Sequence, residues 1–402
     1  RPLGPIIATT GEHIERVAQV RVLSDRRILV HDQVARRVLL FDSTLTHARS
    51  IIDTTGATQK AYGDETGTLF PFTGDSSLFV DPTSGAILVL DPSGAVARIA
   101  AVPANPLRPR FPSAYLSQTG VMFDRQGHFV FAQTIVAPRR DIGVPTATLP
   151  QSAIAPDTVP LVRIGLLSRR EDTLATLTRS PSFASGVLLA VDPLPEADRW
   201  TVLSDGTVAI VRAHDYHIDW VAPDGAVTSS PPIAHEWRRL TDSLKVVFLD
   251  SARRSDSVEA QARVDSMGGI DAMVKARRAR ASARSGSPAQ TDSQIATSIR
   301  AVWFPPYVPA WLLPDYVPPF SPELPPGDLA VAADADGAIW IRVGIPGAQG
   351  GSRVYDVVSR KGILVDRVQL PGGTSIVGFG PGVVYLAARE GSGMQVARAR
   401  IR

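Results

Sequence analysis

The chain has 402 residues, 44% of them hydrophobic and 20% charged, with a formal charge of +3. That is the make-up of a folded globular protein, not of a disordered or collagenous one. It contains no cysteine, which removes disulfides, thiolate metal sites and a cysteine nucleophile together, and no apolar run approaches the roughly 20 residues that span a bilayer.

Length alone predicts two or three domains of about 150 residues. The opening Arg1-Pro2-Leu3-Gly4 has no hydrophobic signal core, the expectation for a mature, trimmed or cytosolic N-terminus. Only Lys60, Lys245, Lys275 and Lys361 are lysine among the 42 basic residues, and Asn105 is the one asparagine. Both biases point to a GC-rich genome, so the arginine richness reads as codon drift and not as a nucleic-acid surface.

In chain order, short β-rich runs with period-2 alternation recur between Asp/Gly/Ser/Pro turns. Residues 20–23, 28–30, 37–41 and a run ending at Ile51-Ile52 form a first set. A second lies at 77–80, 87–90 and 95–99, a third at 121–123 and 129–131, and a fourth at 201–203, 208–211 and 218–221. The fifth covers 329–331, 339–341, 354–357 and 363–365. The sixth, 376–379, 383–386 and 396–399, lacks a last strand, which residues 5–8 are placed to supply.

Four-stranded units repeated six times without alternating helices predict an all-β fold, a six-bladed β-propeller of four-stranded antiparallel blades. A pair of β-sandwiches joined by a helical linker is the alternative. Blades one to four are assigned to 1–231, a helical and Pro-rich insertion to 232–327, and blades five and six to 328–402. Third strands ending in Leu39-Leu40-Phe41-Asp42-Ser43 and Val221-Ala222-Pro223-Asp224-Gly225 resemble those of NHL-like six-bladed propellers. The likeness is greatest to their uncharacterised extracytoplasmic bacterial relatives. It covers most of the chain outside 232–326 and implies the fold and a periplasmic or secreted location. It implies no activity, because propellers serve as binding proteins, lyases, lactonases and scaffolds alike.

With strands a to d numbered outward, the a–b and c–d turns of a propeller lie on one face and the b–c and d–a connections on the other. The tight turns here fall at a–b and c–d. The long segments 53–68, 101–118, 132–159, 178–199 and 228–327 fall at b–c or d–a, so one face is plain and the other elaborated. Elaborated loops on a rigid scaffold are where function concentrates.

The largest elaboration begins with a predicted helix over 241–267, in which Leu244, Val247, Phe248, Val258, Ala262 and Met267 recur at near-helical spacing. Thr241, Asp242 and Ser243 are N-cap candidates. Gly268-Gly269 ends it, and a second short helix carries Ile270, Met273 and Val274. The eight basic residues of 251–284, among them Arg277, Arg278 and Arg280, outnumber the acids by four. They predict either a solvated helical face or a dock for an acidic protein or anionic surface. No aromatic residue interleaves them, so no nucleic acid is expected. Residues 303–320 then crowd Trp303, Phe304, Tyr307, Trp311, Tyr316 and Phe320 among prolines. This stretch must run extended, either packed across the channel mouth or presented as an apolar anchor to a partner.

Chemistry is sparse. His31-Asp32 and His214-Asp215 are placed at equivalent b–c corners of blades one and four, weak candidates for a divalent metal or an acid–base pair. Capping of turns by the same side chains is the plainer reading. Six-bladed lactonase-like hydrolases hold calcium with acidic and asparagine side chains in the channel. Here the inner strands are apolar or small, and neither a Gly-x-Ser-x-Gly elbow nor a phosphate-binding glycine loop is present. The expected protein is a non-enzymatic interaction or scaffold module without a cofactor. It would be at most peripheral to a membrane, for example as an extrinsic subunit on a respiratory or photosynthetic complex. The alternatives are a metal-dependent hydrolase or lyase, and a small-ligand or glycan binder stacking on Trp303 and Trp311.

Overall fold

The computed structural model describes residues 1–58, 61–64, 67–81, 84–101, 122–124, 126–132, 158–178, 184–185, 188–282, 291–320, 330–343 and 353–401. Its strands form six four-stranded antiparallel sheets in a ring, a six-bladed β-propeller. Blade one is β2 (Val17–Val22), β3 (Ile28–Asp32), β4 (Arg37–Phe41) and β5 (Ala48–Ile52); blade two is β6 (Thr68–Pro71), β7 (Ser77–Asp81), β8 (Ala86–Leu90) and β9 (Val96–Ala101). Blade three is β10 (Met122–Phe123), β11 (His128–Ala132), β12 (Thr158–Gly165) and β13 (Glu171–Thr178). A two-stranded ribbon, β14 (Ala184–Ser185) and β15 (Leu188–Leu189), precedes blade four: β16 (Arg199–Val202), β17 (Val208–Arg212), β18 (His217–Val221) and β19 (Val227–Ser229). Blade five is β20 (Val331–Ala333), β21 (Ile339–Val343), β22 (Val354–Val358) and β23 (Leu364–Gln369). Blade six joins β24 (Thr374–Gly380), β25 (Val383–Glu390) and β26 (Gly393–Arg400) to the N-terminal β1 (Ile6–Thr9), which pairs antiparallel with β26 and closes the ring.

The sequence pattern missed β6, β12, β13, the β14–β15 ribbon and β19. Pro71 ends β6 and Pro160 interrupts β12, and proline argues locally against a strand. The outermost strand β13 (Glu-Asp-Thr-Leu-Ala-Thr-Leu-Thr) has little apolar alternation to show.

Six apolar clusters fill the six junctions between neighbouring blades, from the phenylalanine-rich set of Phe70, Phe123, Phe129 and Phe131 between blades two and three to Trp340, Tyr355 and Leu386 between five and six. The core is therefore a ring of two-blade interfaces, each with its own apolar residues. Gly378 marks how closely inner strands approach: a Cβ there would lie 2.7 Å from the Val20 carbonyl oxygen of blade one. On the plain face, arginines reach from one blade to the c–d turn of the next. Arg27 and Arg163 donate to the carbonyls of Pro92 and Pro223 at 2.9 Å each, and Arg398 donates to Ser43 at 2.9 Å. Part of the arginine content is thus structural, beyond what codon drift explains.

The crossover from blade four to blade five carries α1 (Asp242–Ser266), α2 (Gly269–Ser282) and α3 (Asp292–Trp303). The sequence reading found α1 and α2 and missed α3, which starts at a capping box: the Thr291 hydroxyl accepts from Gln294 N–H and the Gln294 side chain accepts from Thr291 N–H. Except for Phe248, which packs against Leu249 and Val308, the apolar pattern read in α1 marks its outward side. Leu244, Val247, Val258 and Met267 are exposed, and the buried residues are Lys245, Leu249, Ala260 and Val264.

Candidate functional site

The two His-Asp pairs do not occupy matching places. In blade one, β3 runs to Asp32 before the four-residue turn 33–36; in blade four, β17 stops at Arg212 before 213–216. His31 therefore corresponds to Val211, and His214 stands on the turn itself. His31 is buried, with Nε2 2.8 Å from the Tyr62 hydroxyl, which also accepts from Gly67 N–H at 3.2 Å. Its Nδ1 is buried without a hydrogen-bond partner. Burial pulls the imidazole down to about 4, against the attraction of the Asp32 carboxylate, and pushes Tyr62 up to about 12. Asp32 is fully buried and accepts from the backbone of Glu15 and Arg16 and from Arg37 Nε. Such a carboxylate ties a d–a connection to a b–c turn.

At blade four Asp198 ties the same two connections, accepting from Thr178 N–H at 2.8 Å and Ala213 N–H at 3.1 Å. Arg212 lies between it (2.6 Å) and Asp219 (2.7 Å). His217 stands between Asp215 and Asp219, at 2.6 and 3.1 Å, and the exposed His214 pairs with Glu196 at 2.8 Å. Apart from His31 Nδ1, the acid–base groups of both corners are thus engaged with neighbouring side chains or with the backbone. Among the described residues no three His, Asp or Glu side chains converge as a metal site. Asn105 lies outside the described residues.

The insertion holds the other candidates. Trp303 ends α3 and packs with Val274, Ile295 and Ile299 between α2 and α3. Phe304 is half-buried as the C-cap of α3, its N–H donating to the Arg300 carbonyl. Arg277 donates to Ser298 Oγ and Arg278 to Asp292, each at 3.0 Å, so both tie α2 to α3. The side chain of Arg280 lies outside the described residues. The Pro/aromatic segment is pinned at three places. Val308 N–H donates to the Val191 carbonyl at 3.0 Å, Val317 N–H to the Arg238 carbonyl at 2.9 Å, and Phe320 pairs with Val343 of blade five. Tyr307 bonds the Asp256 carboxylate through its hydroxyl, under Arg253 at 5.7 Å. Val308 and Leu313 are buried against Leu194 and Leu249 of α1. Trp311 points outward, 73% exposed.

Sequence reasoning missed a line of aromatic rings at the blade four–five junction. Phe320 and Tyr216 are fully buried, 6.2 Å apart; His235 follows at 5.5 Å, Trp237 at 5.2 Å and Tyr316 at 6.3 Å. The inner end is fixed by Tyr216, whose hydroxyl donates to the buried Asp356 at 3.0 Å while Arg367 Nε donates to the same carboxylate at 2.6 Å. Burial and the Asp356 charge push the Tyr216 hydroxyl far above its ordinary range, and burial lowers His235. The outer end opens to solvent, with Trp237 38% and Tyr316 47% exposed.

No family model matches the chain and no curated protein matches it significantly. Among solved structures it is similar to a gluconolactonase from Xanthomonas campestris, at 12% identity over 99% of each chain with a TM-score of 0.41. It is also similar to virginiamycin B lyase from Staphylococcus aureus, at 10% identity over 99% of each chain and a TM-score of 0.39. A β-propeller domain from Myceliophteria thermophila aligns at 11% identity over 100% of each chain with a TM-score of 0.41. None of these likenesses carries an activity to this chain.

Proposed function

We propose that this propeller is a non-enzymatic interaction module that holds a protein partner on its elaborated face, through the aromatic surface of Trp237, Trp311 and Tyr316. One observation carries the reading. Of the eighteen large hydrophobic side chains exposed among the described residues, nine lie within 232–327, about a quarter of the chain. Exposed Trp and Tyr on a well-supported base have the character of interface anchors. Trp237 and Tyr316 have that base, because the ring line behind them ends in the buried Tyr216–Asp356 hydrogen bond. The corners that could have served catalysis are engaged in structural contacts instead. The setting proposed is extracytoplasmic, from the resemblance of the blade grammar, with the chain as an extrinsic subunit of a membrane-associated complex.

The test is affinity purification of the tagged chain from its native cells, with the wild type beside the triple variant Trp237→Ala, Trp311→Ala, Tyr316→Ala. A stoichiometric protein partner should accompany the wild type and be lost from the variant, whose melting temperature stays within a few degrees. Retention of the same partner by the variant overturns the assignment of this surface.

A further inference from the structure

We propose that His235 makes the hold of the aromatic surface on its partner pH-dependent, the partner being bound at neutral pH and released as this histidine is protonated. The inference rests on the reading above, that a protein partner covers Trp237 and Tyr316. His235 is the third of the five rings in the line and is half-buried. Its imidazole stands edge-to-face with Tyr216 on the inner side, at 5.5 Å and 78°, and with Trp237 on the outer side, at 5.2 Å and 82°. Among the described residues no group hydrogen-bonds either ring nitrogen.

Three charged groups act on the ring. Asp356 of β22 attracts an imidazolium, Arg367 of β23 repels it, and Glu236, next in the chain, attracts it from the exposed surface. None of them pairs with it. Both oxygens of Asp356 are taken, by the Tyr216 hydroxyl at 3.0 Å and by Arg367 at 2.6 and 3.2 Å. The attraction of Glu236 is screened by solvent. Farther out, Asp315 beside Tyr316 is paired with Lys245 at 2.7 Å. Burial therefore dominates and holds His235 below its ordinary value. A partner seated on Trp237 and Tyr316 removes the water that remains at His235 and lowers it further. Ring faces attract a cation, but by less than an unpaired charge loses on leaving water.

The direction follows from linkage. At neutral pH the ring is uncharged in both the free chain and the complex, and affinity does not change with pH. As pH falls through the free-state value, the free chain takes up a proton that the complex must expel. Affinity then declines, with a limiting slope of about tenfold per pH unit for one proton.

Two measurements on the full chain set the wild type beside His235→Gln, whose side chain does not titrate. A charged imidazole quenches an indole in contact with it and a neutral one does not. Wild-type tryptophan fluorescence should therefore fall between about pH 7.5 and 5, and the fall should be absent from His235→Gln and from Trp237→Phe. The second measurement takes as probe the protein that wild type captures and the triple variant above loses, purified and titrated against the immobilised chain. From about pH 7.5 to 5 its dissociation constant should rise about fivefold more with the wild type than with His235→Gln, since every other titrating group is common to both. An equal rise overturns the role of His235 and leaves the aromatic surface standing. A quench that persists in His235→Gln overturns it as well. If no protein distinguishes the wild type from the triple variant, the reading of the surface fails, and this inference falls with it.

Discussion

Replacing His31 gives a sharp test of how the junction between blades one and two is built. The imidazole is fully buried and held near about 4, whereas in an unfolded chain it titrates near 6.5. Its neutral form therefore belongs to the folded state and its charged form to the unfolded one. The sign follows from linkage: below the unfolded value the unfolded chain binds a proton that the folded chain refuses, so stability falls as pH drops. This contribution is intact above about pH 6.5, is lost progressively between about 6.5 and 4, and levels off below that. The shift amounts to about 3 kcal/mol in full and ~2 kcal/mol by pH 5, at about 1.4 kcal/mol per unit. The measurement is urea unfolding of the wild type and His31→Gln from about pH 7.5 to 5. Glutamine should cost stability at neutral pH, by loss of ring packing against Tyr62 and Phe79, but it does not titrate. The gap between the two proteins should then narrow by ~2 kcal/mol on acidification. Every other group titrates alike in both and cancels. Parallel pH profiles, with a gap constant to within about 0.5 kcal/mol, would show that His31 is hydrated or already charged in the folded protein and refute the argument.

The two acids of the His-Asp pairs should behave differently. Asp32→Ala removes the buried carboxylate that accepts from Glu15 N–H, Arg16 N–H and Arg37 Nε and should cost about 1–3 kcal/mol in chemical unfolding, whereas the exposed Asp215→Ala should change it by less than about 1 kcal/mol. Equal effects would remove the structural distinction drawn between them. Gly378→Ala pushes a Cβ to 2.7 Å from the Val20 carbonyl oxygen and should lower stability by about 1–3 kcal/mol through overpacking at the blade six–one junction. An unchanged melting temperature would mean that these inner strands sit farther apart than described.

What the sequence made legible was local. The plain-face turns can be read residue by residue because an aspartate accepts from N–H groups two and four residues later: Asp91 from Ser93 and Ala95, Asp124 from Gln126 and His128, Asp334 from Asp336 and Ala338. Each such turn encodes itself, and six repetitions imply a ring. The elaborated face is written in pairs far apart along the chain. Tyr216 meets Asp356 across 140 positions, His31 meets Tyr62 across 31, and Trp237 meets Tyr316. No spacing rule reaches that far, so the ring line stayed invisible although each of its residues was in plain view. The helix α1 shows a different limit. Periodicity separated its apolar from its polar sides, but the protein buries a side that includes Lys245, whose ammonium reaches Asp315 at 2.7 Å. A long aliphatic stem can cover apolar surface while its charge finds a partner, and a hydrophobicity pattern counts that residue as outward.

The asymmetry between the two faces has a mechanical cause. On the plain side many turns are bound internally by an aspartate and externally by a neighbour, as where Arg360 of blade five meets Asp205 of blade four at 2.6 Å. An insertion there would break both a turn and a seam between blades. The d–a crossover escapes this constraint, because it leaves one outer strand and enters the next inner strand without belonging to either sheet. Length added there costs little closure entropy. It still needs anchorage to be useful as a binding surface. Phe320 provides it by entering the cluster of Tyr216, Ile233, Val331 and Ile341, so the same apolar contacts that join blade four to blade five hold the insertion in place. Trp237 and Tyr316, two of the rings proposed to face a partner, thus rest on the joint between two blades, and under that proposal a substitution that loosens the joint, such as Tyr216→Ala, should weaken partner binding without touching the exposed rings themselves.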